Sequence, residues 1–206
     1  MMIKIKNIVW LFIKEHWAVL SIVLTSIIAF IPVNHFVSQY YYSDSAYSSI
    51  GATYQTYLNH DYYTYFTAMF VHTSWAHLLT NMAMLVFAGL VVDRYFSNTV
   101  FWYYYIVTNI LSIGISSLFY RNDVLAGASG GIFAIMVFAI WIVFAIALDE
   151  GNLKSIWVWF YISIGVALLI SGFQPGQNLA IGTHLVGIIL GAITVAYSIL
   201  EAKFSK

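Results

Sequence analysis

Six runs of apolar residues, each close to the roughly 20 that carry a helix across the hydrocarbon layer, account for most of this chain. They lie at Trp17 to Val37, Ser74 to Val92, Thr99 to Phe119, Ser129 to Leu148, Ser155 to Ser171 and Leu179 to Leu200. Lipid supplies no hydrogen bonds, so outside a closed barrel a spanning segment must satisfy its backbone as a helix. The expected fold is an all-α polytopic membrane protein: one domain over residues 1–206, a bundle of six transmembrane helices with short tails at about 1–15 and 201–206. Only 8% of residues are charged, against about 25% in a soluble domain, which excludes a water-soluble enzyme.

The separators between spans are short and polar, except for one long connection from Ser38 to Val71. Placing both termini in the cytoplasm puts Lys4, Lys6, Lys14, Arg94, Lys154, Lys203 and Lys206 inside and only Arg121 outside. That asymmetry fits the positive-inside rule and gives a multi-pass protein of the cell membrane with its long connection on the outer side. The opening lysines and apolar stretch resemble a signal peptide, but no small-x-small cleavage site follows. Net charge is zero, so nothing points to nucleic acid. Cysteine is absent, which removes disulfides, thiolate metal sites and thiol nucleophiles.

The long connection holds Tyr40, Tyr41, Tyr42, Tyr47, Tyr54, Tyr57, Tyr62, Tyr63 and Tyr65 and no Lys or Arg. Tyrosine favours the headgroup layer, so the segment reads as short amphipathic helices embedded in the outer interface. A tyrosine-rich anchor with no further role fits the same composition. His16, His35 and His60 read as interfacial.

Strongly polar residues within a span are costly and are functional candidates by default. Span two carries His77 and Asn81, four apart and therefore on one helical face, with His72 just before it. Span four opens with Gly127-Ala128-Ser129-Gly130-Gly131, and span six carries His184, Gly187 and Gly191. Each has a plain alternative. Asn81 can be interhelical glue, Ser129 can bond back to its own helix, and His184 can be a packed neutral imidazole.

Taken together the set has a specific chemistry. A serine hydroxyl becomes a nucleophile when a base takes its proton, and histidine is the usual base. Gly187 and Gly191 form a small face on span six, and Gly127, Gly130, Gly131 and Ala134 line the start of span four. Small residues let backbones approach closely, which would bring His184 within hydrogen-bond reach of Ser129. A serine at a helix start lies beside free N–H groups that favour a developing oxyanion, and Asn81 and His77 can add donors. No carboxylate is placed to complete a triad, so a Ser-His dyad results. Phe133, one turn after Ser129, can stack on His184 or can be ordinary core.

Rival chemistries fail on spacing. His72 and His77 are five apart with no intervening glutamate, unlike a zinc protease helix, and Gly127 to Gly131 lacks the lysine of a phosphate-binding loop. No aspartate lies within a span. No metal or cofactor is expected.

The sequence resembles the rhomboid family of intramembrane serine proteases, in its minimal six-span bacterial form. The resemblance rests on HTSWAHLLTN (His72, His77, Asn81), GASGGIF (Gly127, Ser129, Gly130) and GTHLVGIILG (His184, Gly187, Gly191), in the family's order on spans two, four and six. It implies Ser129 as nucleophile, His184 as base, and Asn81, His77 and the Ser129 backbone N–H as oxyanion hole. It also implies a membrane-embedded first loop, a water-filled cavity above the serine, and lateral entry of transmembrane protein substrates from the bilayer near spans two and five. Gating is expected between Trp75, Leu78 and Leu79 of span two and Leu168 and Leu169 of span five. The chain departs from the family pattern in three places. Ser38 to Val71 has neither Trp nor Arg, Asp93-Arg94-Tyr95 stands where a Glu-x-Arg is common, and Phe133 stands where tyrosine is frequent. The implied function is cleavage of transmembrane segments. The alternatives are a catalytically silent rhomboid-like protein that binds membrane clients, and a small channel or transporter lined by His77, Asn81 and His184.

Overall fold

The computed structural model describes residues 10–39, 51–173 and 178–204, without the side chains of 33–39 and 178–180. Among these residues six long helices form a bundle, and the sole strand-like feature is a two-bond bridge between Ala52 and Leu125. Span one is Trp17–Gln39, span two Trp75–Val92, span three Asn98–Phe119, span four Ser129–Asp149, span five Ile156–Ser171 and span six Asn178–Phe204. The protein is therefore a helical membrane bundle. Several expected features lie outside the described residues: Tyr40, Tyr41, Tyr42, Tyr47, the side chain of His35, Lys4, Lys6, Lys206 and the turn Gln174-Pro175-Gly176-Gln177.

Local chemistry explains the boundaries. Ser74 and Ser97 cap spans two and three by accepting hydrogen bonds from the His77 and Val100 N–H groups. Span six continues to Phe204, so residues 201–204, expected in a tail, are helical, as are residues 10–15. The long connection contains two short helices, Tyr54–Leu58 and Tyr63–Ala68, the first closed by a reciprocal Thr53–Thr56 capping pair.

By length and composition alone, three described segments suffice to cross a membrane: Trp75–Val92, Ser129–Asp149 and Ile181–Phe204. Spans one and five contribute shorter apolar stretches, Trp17–Pro32 and Ile156–Ser171; the latter reaches only about 24 Å at 1.5 Å per residue. Span three is more polar because it buries Tyr105, Thr108, Asn109, Ser112, Ser116 and Ser117 against its neighbours.

Span four is the axis. It is apolar nearly all round, as a helix enclosed by protein should be, and packs against spans two, three, five and six. Its contact with span six is backbone on backbone. A Cβ on Gly187 would collide with the Gly130 carbonyl oxygen and lie 3.1 Å from the Phe133 Cβ, and one on Gly191 would lie 2.7 Å from the Ala134 oxygen.

The first connection is anchored without a Trp-Arg pair. The Arg121 guanidinium sits 4.7 Å from the Tyr54 ring centroid, Tyr65 Oη lies 3.3 Å from Ser117 Oγ, and the Gly127 N–H donates to the Ala68 carbonyl at 2.9 Å. At the opposite end of span two, His16 corrects the expectation of an interfacial side chain, being 2% exposed. Its Nδ1 lies 3.0 and 2.9 Å from the two carboxylate oxygens of Asp93, and a partner of this kind makes burial tolerable. Burial pushes the Asp93 carboxyl above its ordinary range, and the His16 bond opposes that shift. Asn98 accepts from the Ala18 N–H and donates to the Glu15 carbonyl, tying the start of span one to the same turn.

Two glycine substitutions should therefore diverge. Gly187→Ala should destabilise the detergent-solubilised protein by about 1–3 kcal/mol through overpacking. Gly114→Ala, whose Cβ would meet only Tyr65 at 4.0 Å, should be neutral or stabilising by up to about 1 kcal/mol through helix propensity. Equilibrium unfolding in mixed micelles measures both, and equal effects would refute the close-contact account.

Candidate active site

Span four begins at Ser129 after Ala128, which offers no side-chain cap. The first N–H groups of a helix need outside partners. Span three supplies one: Asn109, fully buried, accepts from the Gly131 N–H at 3.1 Å and donates through Nδ2 to the Tyr105 carbonyl at 3.0 Å. The Ser129 and Gly130 N–H groups, two residues and one residue earlier, remain outside the helical ladder at its positive end. Asn109 belongs to none of the motifs singled out in the sequence. Its signal was the spacing of Asn109, Ser112 and Ser116 along one face of an otherwise apolar helix.

Ser129 is 6% exposed and His184 5%. The His184 ring lies flat on the Phe133 ring, with centroids 4.1 Å apart and planes 5° from parallel. Phe133 is one turn beyond Ser129, so this stack holds the imidazole against the serine's face of span four. His184 Nδ1 lies 2.9 Å from the Gly172 carbonyl at the end of span five, and a carbonyl can only accept. The neutral ring therefore carries its hydrogen on Nδ1 and presents a lone pair at Nε2. This carbonyl does the orienting work for which the sequence offered no carboxylate. The expected dyad contact is not closed: among the described residues no hydrogen bond joins Ser129 to His184. Such bonds are commonly long in unliganded sites.

Span two provides the facing wall. Gly127 adopts φ +119°, a conformation that favours glycine, and the space a Cβ would fill is bounded by His77 Cε1 at 3.0 Å, His77 Nε2 at 3.1 Å and Asn81 Nδ2 at 3.8 Å. Asn81 Nδ2 is buried without a partner, an expensive state unless it serves a ligand. His72 is buried behind them, its Nδ1 donating to the Phe70 carbonyl at 3.2 Å and its ring 5.0 Å from that of His77.

His77, Asn81, Phe133, Gly172 and His184 border one cleft of about 440 Å³, whereas Ser129, Gly127 and His72 are not among its lining residues. Thr73, Ser74, Ala76, His77, Thr80, Asn81 and Met84 line it from span two and its cap, Phe133 from span four, Ser171 and Gly172 from the end of span five, and His184 from span six. Spans two and five touch outside the cleft lining, where Tyr161 stacks on Phe87 at 4.4 Å and donates to its carbonyl at 3.1 Å. Of the expected gate residues, Trp75 and Leu79 are exposed and Leu168 and Leu169 half-buried. Leu78 is fully buried in the core and cannot face an opening. The cleft thus gathers an imidazole lone pair and an unpaired amide donor, and the hydroxyl of Ser129 lies one helical turn before the Phe133 that lines it. Such a set can accept a proton and stabilise negative charge on oxygen.

The family model of the Rhomboid domain matches residues 59–201. The chain is also similar to a protein of Arabidopsis thaliana, Rhomboid-like protein 11, chloroplastic, with 28% identity over 152 residues. That alignment covers 68% of this chain and 54% of the plant protein, so the chain spans about half the length of that relative.

Gly172 tests the orientation of the imidazole. A Cβ there would strike the Phe133 ring and lie 2.8 Å from His184 Nδ1. Gly172→Ala should slow labelling of Ser129 by a fluorophosphonate by about tenfold, the worth of a lost hydrogen bond. An unchanged labelling rate in a folded variant would show that the Gly172 carbonyl does not set the ring.

Proposed function

The chain belongs to the rhomboid family, and on that premise we propose that it is an intramembrane serine endopeptidase that cleaves transmembrane segments of other membrane proteins. The observation that carries this reading is the pairing of a His184 ring with a free Nε2 and an unpartnered Asn81 Nδ2 around the start of span four. Ser129 Oγ attacks the scissile carbonyl while His184 Nε2 takes its proton. The oxyanion is held by Asn81 Nδ2, His77 and the Ser129 N–H. His184 then gives the proton to the leaving amine as the C–N bond breaks, leaving an acyl group on Ser129. Water, deprotonated by the same nitrogen, releases it. Phe133 keeps the imidazole in plane, and Gly130, Gly187 and Gly191 keep spans four and six close. Gly127 leaves room for the reacting carbonyl, and His72 packs behind His77.

A helix hides its carbonyls in internal hydrogen bonds, so substrate must unwind before attack. Segments with glycine, proline or polar residues near one end of their span are the preferred class. Entry runs laterally between Trp75 and Leu79 of span two and the end of span five. The lysine and arginine distribution supports a cell-membrane orientation with both termini cytoplasmic, which puts the cleft towards the outer leaflet.

Cleavage of a reporter transmembrane substrate in liposomes tests the reading. Ser129→Ala and His184→Ala should each abolish product, and Asn81→Ala should lower kcat by about a hundred- to thousandfold, with all three variants retaining their helical circular dichroism. Wild-type protein that binds such segments without cutting them would favour the client-binding alternative. Solute flux that survives Ser129→Ala would favour a transporter.

A further inference from the structure

His77 can stabilise an oxyanion only if the ring atom facing the cleft carries a hydrogen. A neutral imidazole has one N–H and one lone pair, and its partner at the other nitrogen decides which is which. At His77 the two nitrogens have different surroundings. Nε2 borders the space above Gly127, beside the buried Asn81 Nδ2, while Nδ1 points back out of that space to Thr73 Oγ1 at 3.3 Å. Asn81 Nδ2 makes no hydrogen bond, so it does not occupy a lone pair on His77. The backbone beneath is fixed, because Ser74 accepts from the His77 N–H at 3.1 Å. Thr73 is thus held one residue before the cap, four before His77 and on the same side of the helix start.

We propose that Thr73 is a positioning residue: its hydroxyl donates to His77 Nδ1 and keeps the hydrogen on Nε2, aimed at the space above Gly127. The inference rests on the reading of His77 as an oxyanion donor. With Nδ1 engaged as acceptor, His77 Nε2–H and Asn81 Nδ2–H converge from one helix face on the same point, two donors with no acceptor of their own. With the opposite tautomer, a lone pair at Nε2 would face the developing negative charge and oppose it. Valine at position 73 keeps the shape of threonine and removes the donor, whereas serine keeps the donor and removes the methyl group.

The test uses the full chain labelled with 15N-histidine in detergent micelles, with His77 assigned by its loss in His77→Ala. Long-range 15N–1H spectra should show wild-type His77 as the Nε2–H tautomer. Thr73→Val should move it towards a tautomer mixture, and Thr73→Ser should restore the wild-type pattern. On a reporter substrate, Thr73→Val should lower kcat about three- to tenfold with KM unchanged, the worth of one hydrogen bond, and should cause no further loss in a His77→Ala background. The proposal is overturned if wild-type His77 is the Nδ1–H or doubly protonated form, or if Thr73→Val leaves the tautomer unchanged. An equal Thr73→Val loss with and without His77 also overturns it. The spectra need no substrate, so absence of proteolysis with the predicted tautomer shift would sink the enzymatic reading while leaving the Thr73–His77 coupling intact.

Discussion

Where Gly187 faces the Gly130 carbonyl and Gly191 the Ala134 carbonyl, span six contributes no side chain to its contact with span four. In lipid, where apolar residues gain little by leaving the solvent, such backbone contact is among the main sources of helix association. Its geometric consequence is local. His184 lies one turn before Gly187 and Ser129 directly precedes Gly130, so the contact that binds the helices also sets how near the imidazole stands to the hydroxyl. A single added methyl at either glycine would act on packing and on the site together.

The second organising fact is the way polar groups are satisfied without carboxylates. Asn109 takes the Gly131 N–H, the Gly172 carbonyl takes the His184 Nδ1 hydrogen, and Ser74 takes the His77 N–H. Each bond consumes a group that would otherwise compete for the cleft. The lone pair of His184 Nε2 and the amide hydrogens of Asn81 are left over, and they face inward. A site built from neutral dipoles avoids the desolvation cost that a buried carboxylate would bring. Among the described residues, the one buried carboxylate–histidine pair, His16 with Asp93, lies at the other end of span two, where it fastens span one.

Much of this was legible in the chain because two periodic signals dominate it. Apolar runs of about 20 residues located the helices to within a few positions, and the spacing of His77 and Asn81 put them on one face. What stayed hidden depends on contacts between distant segments. The Gly172 carbonyl has no side-chain signature, since any residue there would present the same oxygen. Asn109 caps a helix 22 positions away, a relation that local capping patterns do not reach. His16 looked interfacial because its partner, Asp93, is 77 residues off. Leu78 looked like a gate residue because a span's apolar positions do not declare which face meets lipid and which the core.

The proposed protease chemistry requires that an oxyanion attached to Ser129 reach the donors on span two and at the start of span four. A structure of the protein inactivated by a fluorophosphonate measures this directly, because the phosphoryl oxygen occupies the place of that oxyanion. The expected adduct is on Ser129 Oγ, with the oxygen within hydrogen-bond distance of Asn81 Nδ2, His77 Nε2 and the Ser129 N–H. An adduct whose oxygen points away from all three donors, or a phosphonate attached to a different residue, would contradict it.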